Sequence, residues 1–151
     1  MKKIETNINI EDLLEKPYWI VDILPKQVPK DSEGQYFKIE EHYLKRMSLL
    51  CQKYADILLK LNCYFDIMVS HDCEEWVNNP KPKKFVKRIG ACMSKNPKES
   101  SLFVYIKTGE VLMVINRDST YMTIYNPTEE ILSLIRQLAT SEGLFVWQPT
   151  N

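Results

Sequence analysis

The chain has 151 residues, 44% hydrophobic and 26% charged, the size and mix of one globular domain with enough apolar material for a core. Twenty basic residues balance twenty acidic ones, and a formal net charge of zero argues against a dedicated nucleic-acid or membrane-surface protein. Four glycines leave little from which to build a glycine-rich phosphate loop.

The first residues, Met1 to Thr6, start basic but have no apolar run behind them, so no secretory signal is expected. Asn9 to Glu15 reads as a short helix, with Asn9 as its cap and Asp12 in the first turn, where a negative charge suits the helix dipole. Pro17 stops it. Tyr18 to Leu24 is rich in aromatic and β-branched residues and predicts a buried strand ended by Pro25. A polar loop runs from there to Gly34.

The strongest periodicity follows. Leu44, Met47, Cys51, Tyr54, Leu58 and Leu61 recur at alternating steps of three and four, with polar residues on the other faces. No glycine or proline lies between Tyr36 and Leu61, so one amphipathic helix is expected over 36–61, with Glu41 and Lys45 paired one turn apart. At 1.5 Å per residue it would be about 39 Å long and form the spine of the fold.

Cys63 to Val69 predicts a second strand, and His71-Asp72-Cys73 then sits at the start of a short helix ended by Pro80 and Pro82. Phe85, Val86, Ile89 and Met93 have helical spacing beside Lys84, Lys87 and Arg88, which predicts a short basic helix interrupted by Gly90. Leu102 to Lys107, Val111 to Asn116 and Tyr121 to Tyr125 form a three-strand meander, its first hairpin turning at Gly109. A helix over 127–141 is capped by Asn126 and closed by Gly143, and Leu144 to Trp147 is a last strand.

These elements predict a single domain over 1–151 of the α+β class. A mixed, mostly antiparallel sheet of about five to six strands is packed on one face by the long helix and the C-terminal helix. No window approaches the ~20 apolar residues of a membrane helix. Cys51, Cys63, Cys73 and Cys92 are widely spaced, and reduced thiols in the cytoplasm are expected.

Three groups carry candidate chemistry. The first is His71, Asp72 and Cys73: a thiol at a helix N-terminus would be favoured as thiolate, His71 would act as base, and Asp72 or Glu74 would orient it. The plainer reading is that Asp72 caps a helix and His71 flanks it. No two cysteines are closer than ten positions, so neither a metal nor a cofactor is expected. The second group is Lys83, Lys84, Lys87 and Arg88, within a stretch from Trp76 to Lys98 that contains no acid. That face suits an acidic protein surface or phosphates, although the plainer reading is a solvated charge run. Third, Tyr18, Trp19, Tyr105, Tyr121, Tyr125 and Trp147 lie in predicted strands, and any left uncovered would form a binding patch.

Nucleotide-loop, nucleophile-elbow and paired-histidine metalloprotease signatures are missing from the sequence. The favoured expectation is therefore a non-catalytic module that binds another protein or a second copy of itself. A small enzyme using Cys73 and His71 is the alternative. Phosphate or nucleic-acid contact through residues 81–98 comes third, disfavoured by the neutral total charge.

Overall fold

The computed structural model describes residues 8–150, so the amino-terminal stretch read for a secretory signal lies outside the described residues. In chain order the elements are α1 (Ile10–Leu13), β1 (Tyr18–Asp22), a 3-10 turn (Lys30–Ser32), α2 (Glu33–Leu44), α3 (Met47–Leu61), β2 (Ile67–Ser70), β3 (Val77–Asn78) and α4 (Pro82–Cys92). They continue with β4 (Ser101–Ile106), β5 (Val111–Asn116), β6 (Met122–Tyr125), α5 (Glu129–Ser141) and β7 (Phe145–Trp147). The seven strands form one sheet in the order β3-β2-β4-β5-β6-β1-β7. Every neighbouring pair is antiparallel. The fold is α+β, as the hairpin-linked strands predict. No described helix is long and apolar enough to cross a membrane.

Alternation along the strands sorts side chains onto two faces. Val21, Ile67, Val69, Leu102, Val104, Met113, Ile115, Met122 and Ile124 pack against α3, α4 and α5 in the main core. Met68, Tyr105, Leu112 and Val114 point the other way, where Leu13 of α1 and Trp76 cover them. Helical cover is thus not confined to one face, contrary to expectation. A short N-terminal helix can do this because one buried leucine anchors it. Asn9 caps that helix as expected, its Oδ1 accepting from the Asp12 N–H at 3.1 Å.

The single helix expected over 36–61 is two helices, broken at Lys45 and Arg46. Burial sets the break. Met47, Leu50, Tyr54, Ala55, Ile57, Leu58 and Leu61 of α3 are buried on the sheet, whereas none of the residues from Gly34 to Leu44 is. Neither a glycine nor a proline marks the place, so the sequence carries no punctuation for it.

The helix expected after Ser70 is absent too. Cys73 has φ 63° and Asn79 φ 45°, so the chain turns. Residues Val77–Asn78 then add a seventh, edge strand to β2. Side chains organise these turns. The Asp72 carboxylate accepts from the N–H groups of Glu74 and Glu75, and Asn79 Oδ1 accepts from the Ile67 N–H. The last helix starts at Glu129, with Thr128 rather than Asn126 as its cap: Thr128 Oγ1 accepts from the Ile131 N–H at 3.2 Å. Asn126 sits at φ 59° and reaches back instead, its amide donating to the Glu110 carbonyl.

Candidate functional site

The segment His71-Asp72-Cys73 leaves the end of β2 as a turn. Asp72 Oδ1 accepts three hydrogen bonds, from the Ser70 hydroxyl and the N–H groups of Glu74 and Glu75, each at about 3 Å. Those donors, the backbone ones foremost, hold its carboxyl down at about 2. Its charge is spent on the turn, and no hydrogen bond among the described residues joins it to His71.

His71 Nδ1 lies 2.9 Å from the Ser101 carbonyl oxygen. A carbonyl only accepts, so Nδ1 carries the hydrogen. The thiol nearest that nitrogen belongs to Cys92, at 4.0 Å, and not to Cys73. Cys92 therefore faces an N–H and not a basic lone pair. Burial, with Glu99 adding to it, pushes the Cys92 thiol up to about 12. Cys73 is at no helix N-terminus, and burial followed by the Asp72 charge pushes its thiol up to about 11. All four cysteines are free. Among the described residues, no three His, Cys, Asp or Glu side chains cluster as metal ligands do.

The basic residues fall on α4. Phe85, Ile89 and Cys92 anchor this helix to the core. Lys83, Lys84 and Lys87 are exposed on its outer side, and Arg88 is half-buried. Lys81 is the N-cap residue without a side-chain capping bond, Pro82 opens the helix, and the first turn holds no acid. Lysines thus add to the positive end of the helix dipole. The side-chain ion pairs formed among the described residues include Lys16–Asp12 and Lys45–Glu41, and none is recorded for Lys83, Lys84 or Lys87. Beyond Gly90 the helix borders a groove of about 330 Å³, lined by Met47, Cys51 and Met93 and flanked by Lys45 and Lys95.

A third group was not singled out from the sequence. Asp22 ends β1 and is only 6% exposed. Its Oδ1 accepts from the Ile23 N–H at 2.7 Å and its Oδ2 from Trp147 Nε1 at 3.3 Å. Desolvation outweighs these bonds and raises its carboxyl above the ordinary range, with Glu40 of α2 adding a small push. Tyr36 donates to Glu40 Oε2 at 3.1 Å. Burial first, then Glu40, Asp22 and Tyr121, push the Tyr36 hydroxyl up to about 12. The available signal was Asp22 itself, the one acid in the apolar run from Tyr18 to Leu24. Its partner Trp147 comes from β7, 125 positions away along the chain.

Of the strand aromatics, Tyr105 is buried and Tyr18 is 41% exposed, its ring 5.6 Å from that of Tyr125. Tyr121, Tyr125 and Trp147 are half-buried. No family model, curated protein or solved structure matches this chain.

Proposed function

We propose that the protein is a non-catalytic cytoplasmic docking module that binds an acidic segment of another protein along α4. The observation that carries this reading is the pairing of a rigid inner side, Phe85, Ile89 and Cys92, with an outer side bearing Lys83, Lys84 and Lys87. A cationic face held in fixed geometry loses little entropy when it meets a complementary surface. The neighbouring groove favours a polypeptide over a nucleic acid. Its methionines suit an apolar side chain, and few aromatic rings are at hand for base stacking. Thiol chemistry at Cys73 with His71 has less support, since thiols pushed to about 11 and 12 hold little thiolate at neutral pH.

The test compares two fluorescent probes of equal charge, an acidic leucine-bearing peptide and a single-stranded oligonucleotide, by polarisation at low salt. The peptide is expected to bind more tightly. Replacing Lys83, Lys84 and Lys87 with alanine should weaken it roughly tenfold, in line with about 0.5 kcal/mol per exposed charge. Preference for the oligonucleotide, or an unchanged affinity in a variant whose circular dichroism is native, rejects the reading.

A further inference from the structure

The break between α2 and α3 forms an elbow, and a pocket of about 240 Å³ opens beside it. One wall comes from α3. Leu49, Leu50 and Lys53 lie three, four and seven positions after Arg46, so the row is basic at each end and apolar between. Leu50 is buried in the main core, and Leu49 is 52% exposed. Across the elbow α2 supplies His42 and Tyr43, tied in place by the Arg46 N–H, which donates to the Tyr43 carbonyl at 2.9 Å. Ile23, just after β1, and Leu144, just before β7, add apolar walls.

Charge in this pocket has one sign. No Asp or Glu lines it, whereas Arg46, Lys53 and the His42 imidazole all do. Lys53 is half-buried, and its Nζ donates to the Glu142 carbonyl at 3.0 Å. That bond fixes the ammonium and engages only one of its N–H groups. The Glu142 carboxyl feels Lys53 too, but it faces Asp56 and Lys60 more strongly. No ion pair is recorded for Arg46 or Lys53 among the described residues. The start of α3 adds to the positive field, since its first turn holds no acid and Arg46 makes no side-chain capping bond. His42 and Tyr43 meet edge to face, with ring centroids 5.6 Å apart.

We propose that this pocket binds a small organic acid, a carboxylate on a short apolar chain, with the carboxylate drawn by Arg46, His42 and Lys53 and the chain laid against Ile23, Leu49 and Leu144. Mostly apolar walls with a few convergent polar groups are the usual make-up of a small-molecule site. The volume is that of about eight waters at ~30 Å³ each, so the ligand is small. A bare inorganic anion would leave the leucines and Ile23 unused, and an uncharged chain would leave the cations unused. None of the lining residues belongs to α4, so the site does not depend on the docking role given to that helix.

The experiment follows amide NMR shifts of the wild-type protein titrated with hexanoate, hexanamide and inorganic phosphate at equal ionic strength. Saturable shifts with hexanoate, centred on Arg46, Leu49 and Gly143, are expected, with hexanamide and phosphate at least tenfold weaker. The carboxylate can belong to a free acid or to the last residue of a polypeptide, and an acetylated tripeptide ending in leucine separates the two. Tighter binding of the tripeptide assigns a polypeptide end, and equal or weaker binding assigns a free acid. Arg46→Gln and Lys53→Gln should each weaken hexanoate several-fold. Arg46 is exposed and makes no side-chain cap, so that variant remains informative if Lys53→Gln, which loses its bond to the Glu142 carbonyl, fails to fold. Hexanamide or phosphate binding as tightly as hexanoate overturns the site, as do absence of saturable shifts and undiminished affinity in a folded variant of either residue. Shifts centred on Gly90 would assign the acid to the groove beside α4 and overturn this pocket as well.

Discussion

Asp22 sits where a strand of apolar residues would ordinarily place another valine or isoleucine, and its carboxyl is raised chiefly by lost hydration. The sign of the resulting linkage follows directly. A carboxyl raised above its unfolded value contributes stability that is complete below the unfolded value near 3.8 and is lost as pH rises through the folded one. Between about pH 4 and pH 7 the wild-type protein should therefore lose stability relative to Asp22→Asn, which has nothing to ionise there. Urea denaturation of both proteins across that range reads the difference. A difference that stays constant would show that Asp22 titrates like a solvated acid, and one that moves in favour of the wild type as pH rises would show that folding lowers its carboxyl instead. At this scale the sequence was partly legible. Residue types at turns and caps were visible, as Asn9 proves, because their partners lie within a few positions. Cys92 meeting His71, and Trp147 meeting Asp22, are separated by 21 and 125 positions, and no local pattern encodes such encounters.

Elements were legible where local chemistry decides them and not where packing does. The meander, the strand at Tyr18 and the helix ended by Gly143 follow from alternation, β-branched residues and a positive φ of 73°. The break at Lys45 and Arg46 follows from which half of a continuous stripe finds something to cover, a property of the folded sheet. Two glycines show the same division as a pair of opposite expectations. Gly90 lies inside α4, and an added Cβ would meet only Cys51 Sγ at 3.9 Å, an ordinary contact. Gly90→Ala should thus stabilise by up to about 1 kcal/mol, the usual difference within a helix. Gly109 turns the β4–β5 hairpin at φ 80°, and a Cβ there would come within 2.7 Å of Thr128 Cγ2. Gly109→Ala should destabilise by about 1–3 kcal/mol, from backbone strain together with displacement of the residue that caps α5. Thermal melts decide both, and a rise for Gly109→Ala would mean that the hairpin relaxes into another turn.

At the scale of the molecule, the meander explains only the middle of the sheet. β1 is inserted between β6 and β7, so the N-terminal strand is held on both sides by segments from the C-terminal third. Consecutive hairpins predict neighbours, and they predict neither this insertion nor the placing of β2 beside β4 with β3 outside it. Tyr54 secures it from the helical layer. Its hydroxyl, fully buried, lies 3.0 Å from the Val21 carbonyl and 2.7 Å from the Thr120 carbonyl, so α3 bridges β1 to the turn before β6. Burial first, with the Asp22 charge behind it, raises that hydroxyl well above its ordinary value, so it stays protonated and available as a donor across the neutral range. Tyr54→Phe preserves the ring and removes the donor. The loss expected is about 1–2 kcal/mol, because buried carbonyls keep their desolvation cost when a donor is removed. Unlike the effect at Asp22, it should be the same at about pH 5 and pH 8, since the phenol does not ionise in that interval. Equilibrium denaturation at the two values provides the measurement. If Tyr54→Phe unfolds at the wild-type midpoint, β1 is held by its strand pairing alone and the helical layer adds no polar tie to it.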